Sequence, residues 1–178
     1  MDTPPLAPRR TDDASPAPHV AADLDAAARL CAHWQADGRR VVLTNGCFDL
    51  IHVGHTRYLA QARALGDRLV VALNGDDGVR ALKGEGRPVV PAAERAELLA
   101  ALRAVDLVIV FESPTAVEVV RALRPDVYVK GGDYDATAHR PPEADAATAV
   151  GTDVRFLPYV AGRSTQTLIA AIRAGRRL

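Results

Sequence analysis

Residues 41–55 read VVLTNGCFDLIHVGH, and the order of residue types in that stretch governs the reading of everything around it. Val41, Val42 and Leu43 form a short unbroken apolar run, the pattern of a parallel strand covered on both faces. Asn45-Gly46 breaks the run with a turn. His52 and His55, three positions apart, then fall on one helical face, and Gly54 between them carries no side chain to obstruct it. A strand that passes through a small-residue turn into a helix start presents unpaired backbone N–H groups and the positive end of a helix dipole. That combination favours phosphate.

Working outward, the 178 residues are 48% apolar and 25% charged, which suits one soluble domain with a full core. Twenty-two basic residues balance twenty-two acidic ones. Such neutrality excludes the broad electrostatic footprint of a nucleic-acid binder and directs attention to local charge. Cys31 and Cys47 lack metal-ligand spacing and are expected to be reduced thiols of a cytoplasmic protein. No apolar run approaches membrane-spanning length, and the N-terminus lacks a signal-peptide core, so no membrane association is expected. Residues 1–20, rich in Pro, Asp and Ala without periodicity, are expected to form a disordered tail, leaving residues 21–178 as the domain.

Within that domain Leu24, Ala27, Cys31 and Trp34 recur at helical spacing over residues 21–37, with Gly38 as the residue after the C-cap. A helix over 53–64 and a strand over 68–74 complete a strand-helix-strand crossover. Lys83, Gly84, Gly86, Arg87 and Pro88 then read as an irregular loop with cations free to reach inward. A helix over 91–103 is expected to bury Leu98, Leu99 and Leu102. Residues 107–111 form a strand, Ser113-Pro114 opens a helix to 123, and 126–130 form a strand ending in Lys130-Gly131-Gly132-Asp133-Tyr134. A polar loop, a helix over 143–150, a strand over 154–157 and a helix over 166–174 with Leu168, Ile169 and Ile172 buried close the chain. The alternation predicts an α/β fold: a doubly wound five-stranded parallel sheet, Rossmann-like, with helices on both faces and its ligand at the carboxyl ends of the strands.

The unusual residues follow strands in four places: 45–55, 74–83, 130–134 and 162–165. They therefore converge on one edge of the sheet. The histidine pair has three readings, as a cap and packing pair, as part of a zinc site, or as phosphate ligands. Zinc needs third and fourth ligands that no nearby Cys or His supplies, so no protein-held metal is expected. A glycine turn ahead and cationic loops beside favour phosphate. Lys83 and Arg87 are surface charges by default, but their place after a strand among glycines makes a phosphate clamp the better reading. Gly131 and Gly132 either make a turn or let backbone approach a base. Ser164 or Thr165 caps a helix whose N-terminus is a second anion site. Asp49 and Asp133, acids among cations, suit metal or substrate-hydroxyl contacts better than general-base duty.

These segments resemble a known family. Asn45 to His55 looks like the HxGH signature of the nucleotidyltransferase superfamily related to glycerol-3-phosphate cytidylyltransferase. Leu82-Lys83-Gly84, Arg87-Pro88-Val89, Lys130-Gly131-Gly132-Asp133-Tyr134 and Gly162-Arg163-Ser164-Thr165 are more similar to the adenylyltransferase domain of bacterial heptose enzymes, which join ATP to D-glycero-β-D-manno-heptose 1-phosphate. The resemblance implies that His52, His55 and Lys83 act on the triphosphate. It implies nucleotide contacts from Asn45, Gly46, Cys47, Phe48, Gly54, Lys130, Gly131, Gly132, Asp133, Arg163, Ser164 and Thr165, and substrate contacts from Asp49, Asn74, Asp76 and Arg87. Mg²⁺ is expected with the triphosphate, ATP and a sugar 1-phosphate as partners, and a homodimer as the assembly. Gln166 replaces the family's second threonine after the serine, leaving one hydroxyl fewer near the phosphates. No sugar kinase domain is seen, so the sugar 1-phosphate is expected from a separate enzyme. A cytidylyltransferase acting on glycerol 3-phosphate or another polyol or amino-alcohol phosphate is the alternative, and a nucleotide-binding regulator without the reaction is a third reading.

Overall fold

The computed structural model describes residues 20–132, 140–158 and 162–177. In chain order its elements are α1 (Leu24–Ala36), β1 (Val41–Gly46), α2 (Val53–Arg63), β2 (Arg68–Asn74), α3 (Asp76–Lys83), α4 (Ala92–Ala100), β3 (Leu107–Phe111), α5 (Val117–Leu123), β4 (Val127–Gly131), α6 (Pro142–Ala149), β5 (Asp153–Leu157) and α7 (Thr165–Arg173). The strands form one sheet in the order β3-β2-β1-β4-β5, and every pairing is parallel. The expected α/β architecture is therefore present. The expected disordered tail, apart from Val20, lies outside the described residues, and Val20 itself bridges Val108 in parallel.

Why the sheet is central follows from β1. Val41 and Leu43 face one apolar layer with Ala27, Cys31 and Trp34 of α1 and Val119, Val120 and Leu123 of α5. Val42 faces the other, with Leu59 and Ala62 of α2 and Ala96 and Leu99 of α4. Successive strand side chains point to opposite faces, so an uninterrupted apolar strand needs helices on both sides. Chain order reverses between β1, which neighbours β2 on one side, and β4 on the other. The carboxyl ends of β1 and β4 therefore open a crevice, the place where such sheets bind ligands, and Asn45 and Lys130 lie at those two ends.

Four expectations are corrected. Lys83 ends a helix, α3, rather than lying in a loop: Asp76 and Asp77 occupy its first turn and Arg80 and Lys83 its last, each matching the dipole. Gly84, at φ 87°, terminates it. The apolar stripe of α7 is not buried, for no residue of that helix is fully enclosed and Ile172 is 67% exposed. Helix α7 follows β5, an edge strand that is itself only half-buried, and an edge offers an incomplete surface. Leu98 is likewise exposed, because α4 stops at Ala100 and turns Ala96 and Leu99 inward instead. Ser113 does not cap α5; its hydroxyl donates to the Thr115 carbonyl and the helix begins at Val117. Among the described residues no helix is long and apolar enough to cross a membrane.

Candidate active site

The turn after β1 holds its shape through Gly46 and Phe48. Phe48 takes a left-handed backbone, φ 42°, which costs a bulky residue on the order of 1 kcal/mol. Its ring packs so closely on Gly46 that a Cβ there would lie 3.0 Å from Phe48 Cε2. The same ring meets His55 edge-on, with centroids 5.2 Å apart. Phe48 thus supports the site from the core side rather than lining it with its side chain.

His52 is the N-cap of α2, and its Nδ1 accepts from the Gly54 N–H at 3.1 Å. An accepting Nδ1 places the ring proton on Nε2. His55 stacks on it, centroids 3.8 Å apart and ring planes 20° from parallel. Burial and then the Arg163 charge lower the His52 pKa. His55 is lowered to about 4, by burial first and His52 second. The Leu50 carbonyl pulls the other way without completing a hydrogen bond, since buried His55 Nδ1 has no partner among the described residues. Two neutral rings can stack where two imidazolium ions would repel. Gly54 makes room for them: a Cβ there would sit 2.8 Å from His52 Cε1 and 3.3 Å from Arg163 Cβ.

That last contact brings α7 to α2. Ser164 is the N-cap of α7, its Oγ accepting from the Thr167 N–H at 3.0 Å and lying 2.8 Å from Thr167 Oγ1. Thr165 opens the helix, and Gln166 after it is exposed. Two helix N-termini, with His52 and Arg163 between them, share one side of the crevice.

Positive charge gathers on the other side. Burial raises the Cys47 thiol pKa, and four cations oppose it: Lys83, Arg95, Arg87 and Lys130. Exposed Lys83 thus lies near enough for its charge to be felt at Cys47, in the turn after β1. Lys130 Nζ and Tyr128 Oη both donate to Asn45 Oδ1, at 2.9 and 2.7 Å. Gly131 lies against Tyr58, where a Cβ would be 2.9 Å from Cε2, and Gly132, φ 142°, donates to the Leu157 carbonyl. Asp133 and Tyr134 lie outside the described residues.

The expected substrate contacts are redistributed. Asp49 is 1% exposed and accepts from Arg87 Nε at 2.5 Å, from Val89 N–H at 2.8 Å and from Val90 N–H at 3.0 Å. Burial alone would raise its pKa, but the Val89, Val90 and Arg87 donors outweigh it and hold the carboxyl below its ordinary range. Asp49 and Arg87 therefore clamp the segment between α3 and α4, and Asp49 is not open to a substrate hydroxyl. Asn74 is buried as well. Asp76 remains 40% exposed at the crevice while pairing with Arg95 at 2.7 Å.

Arg95 was not among the expected residues. Fully buried in α4, it donates to the carbonyls of Val90, Cys47 and Asn74 and to Asp76, binding four segments with one guanidinium. The available signal was an arginine on the stripe shared by Ala96 and Leu99. Glu143, also unforeseen, is 6% exposed and bonds Asn45 and the Ala116 N–H. An acid in a helix's first turn ordinarily reads as a solvated dipole partner, so nothing local marks it.

Among the described residues no three His, Cys, Asp or Glu side chains converge as a metal-binding set. The nearby acids are engaged by arginine or backbone, and the donors left over are cations and N–H groups. Such a site suits anions.

The chain belongs to the cytidylyltransferase-like family, whose model matches residues 43–157, from within β1 to the last residue of β5. Its relatives include the bifunctional protein HldE of Methylococcus capsulatus, 54% identical over 142 residues that cover 78% of this chain and 29% of that protein. HldE of Azorhizobium caulinodans is 50% identical over 147 residues, covering 83% and 30%. This chain thus spans less than a third of the length of those relatives. Among solved structures, the lipopolysaccharide core biosynthesis protein of Thermoplasma volcanium superposes with a TM-score of 0.56 at 27% identity, covering 69% of this chain and 98% of that one.

Proposed function

We propose that the protein is a cytoplasmic nucleotidyltransferase that joins the AMP moiety of ATP to a heptose 1-phosphate, giving ADP-heptose and pyrophosphate. One observation carries the reading: a stacked neutral histidine pair at the N-terminus of α2, abutting the N-terminus of α7, with Lys83 and Lys130 bringing positive charge to the turn after β1. The likeness to HldE over most of this chain favours the heptose substrate.

The chemistry asks little of the protein as a base. A phosphate monoester has a second pKa of about 6, so near neutrality its oxygen is already an anion able to attack the α-phosphorus. A new P–O bond forms there while the bond from the α-phosphorus to the bridging oxygen breaks, and that oxygen leaves with pyrophosphate. Mutual repulsion and misalignment oppose the step. Positioning and charge neutralisation relieve both: His52 offers Nε2–H, the two helices present the positive ends of their dipoles, and Lys83 and Arg163 bring charge. ATP enters as its Mg²⁺ complex, the metal held by the phosphates.

The family description favours a second reading, a cytidylyltransferase acting on glycerol 3-phosphate or a related alcohol phosphate. Pyrophosphate release assayed with ATP, CTP and GTP against heptose 1-phosphate, glycerol 3-phosphate and phosphocholine separates the two. ATP with heptose 1-phosphate is expected to be fastest; CTP with either alcohol phosphate proving faster would transfer the assignment, and release with none would leave a nucleotide-binding protein. We also propose a homodimer, the assembly expected from the resemblance, which sedimentation at micromolar concentration tests.

A further inference from the structure

The Asn45 side chain is held between two groups of opposite polarity. Its Nδ2 donates to Glu143 Oε1 at 3.4 Å, and its Oδ1 accepts from Lys130 Nζ at 2.9 Å and from Tyr128 Oη at 2.7 Å. An ammonium can only donate and an ionised carboxylate can only accept, so the amide has one permissible orientation. Reversing it would set an NH₂ against the ammonium and a carbonyl against the carboxylate. Glu143 has no freedom of its own: it is 6% exposed, it comes from the first turn of α6, and Oε1 also accepts the Ala116 N–H at 3.1 Å. A carboxylate taken out of water is costly unless paired. This one is directed at a residue whose other end holds a lysine at the crevice.

We propose that Glu143 is a positioning residue, acting through the Asn45 amide to hold the Lys130 ammonium beside Cys47 at the junction of β1 and β4, where the nucleotide binds. The role rests on the nucleotidyltransferase reading for its purpose but not for its geometry. Burial lowers the Lys130 pKa, and the Glu143 carboxylate, ahead of the Cys47 sulfur, opposes that shift. Glu143 thereby favours the charged form of the lysine as well as its placement. With the carboxylate neutralised, the amide is free to turn and Lys130 loses both its tether and its countercharge.

The sequence contains only two lysines, Lys83 and Lys130, so protein labelled with ¹³C-lysine gives two side-chain resonances, assigned with Lys83→Arg. In Glu143→Gln the Lys130 resonance is expected to titrate at lower pH while that of Lys83 stays in place. ATP affinity, read by calorimetry, is expected to fall about tenfold, the scale of one hydrogen bond to a charged group. The loss should shrink in Glu143→Asp and should not add to that of Lys130→Met. Asn45→Ala, which leaves Glu143 bonded to Ala116, reports on the same coupling if Glu143→Gln does not fold. An unmoved Lys130 titration overturns the proposal. So does a shifted titration with unchanged ATP affinity, or a loss that adds in full to that of Lys130→Met. Wild-type protein that binds no ATP would instead refute the nucleotidyltransferase reading, and the lysine titration would still decide whether Glu143 governs Lys130.

Discussion

The imidazoles of His52 and His55 lie face to face, 3.8 Å between centroids, a separation at which one proton excludes another. His55 titrates at about 4 in the folded chain against 6.5 when exposed. Above pH 6.5 the ring is neutral in both states and contributes no pH dependence. As pH falls from 6.5 to 4 the unfolded chain takes up a proton that the folded chain refuses, so folding stability declines across that window. Thermal melts of wild type and His55→Asn should diverge there, with the variant losing less on acidification.

Loss of either ring removes a donor or its support. His52→Ala and His55→Ala should each lower the rate of pyrophosphate release by roughly two orders of magnitude, the usual cost of one transition-state donor. Near-native turnover in both would remove the pair from the reaction.

Gly54→Ala should separate activity from stability. Alanine favours a helix by about 1 kcal/mol over glycine, and the atoms it meets are the movable end of the His52 ring and the Arg163 side chain. The ring turns out of its stack to relieve the contact and gives up its cap on the Gly54 N–H, a loss of about 1 kcal/mol that offsets the helix gain. The melting temperature should therefore hold within a few degrees while turnover falls at least about tenfold, as misplacement of a reacting group does.

Arg95 is the reverse case. Its removal leaves Asp76 and the carbonyls of Val90, Cys47 and Asn74 without their shared donor. Arg95→Ala should cost about 3–5 kcal/mol in denaturant unfolding. Arg95→Lys should recover only part of it, because one ammonium cannot reproduce the planar fork.

Asp49 holds the segment between α3 and α4 from inside. Asp49→Ala frees Arg87 and the Val89 and Val90 N–H groups, and limited trypsin digestion should then cleave after Lys83 faster than in wild type. An unchanged digestion pattern would show that the clamp is not what orders that segment.

The site was legible in the sequence wherever the needed signal is local. Gly46, His52, Gly54 and His55 carry their meaning in adjacent positions, because a turn, a cap and a helix face are all set within a few residues. Arg95, Glu143 and the inward pairing of Asp49 with Arg87 were not legible. Each is a charge whose partner lies 19 to 98 residues away in the chain, and a carboxylate bound for solvent looks the same in sequence as one bound for a buried arginine.

By itself, then, the sequence determined the alternation of strands and helices, the two-sided burial of β1 and the glycine turn after it, since hydrophobic periodicity and backbone chemistry act at short range. Only the tertiary structure decided that β4 returns beside β1, that α7 leaves its apolar stripe half uncovered, and which charges face the crevice rather than one another. Those outcomes depend on which surfaces meet, and burial is a property of the pair.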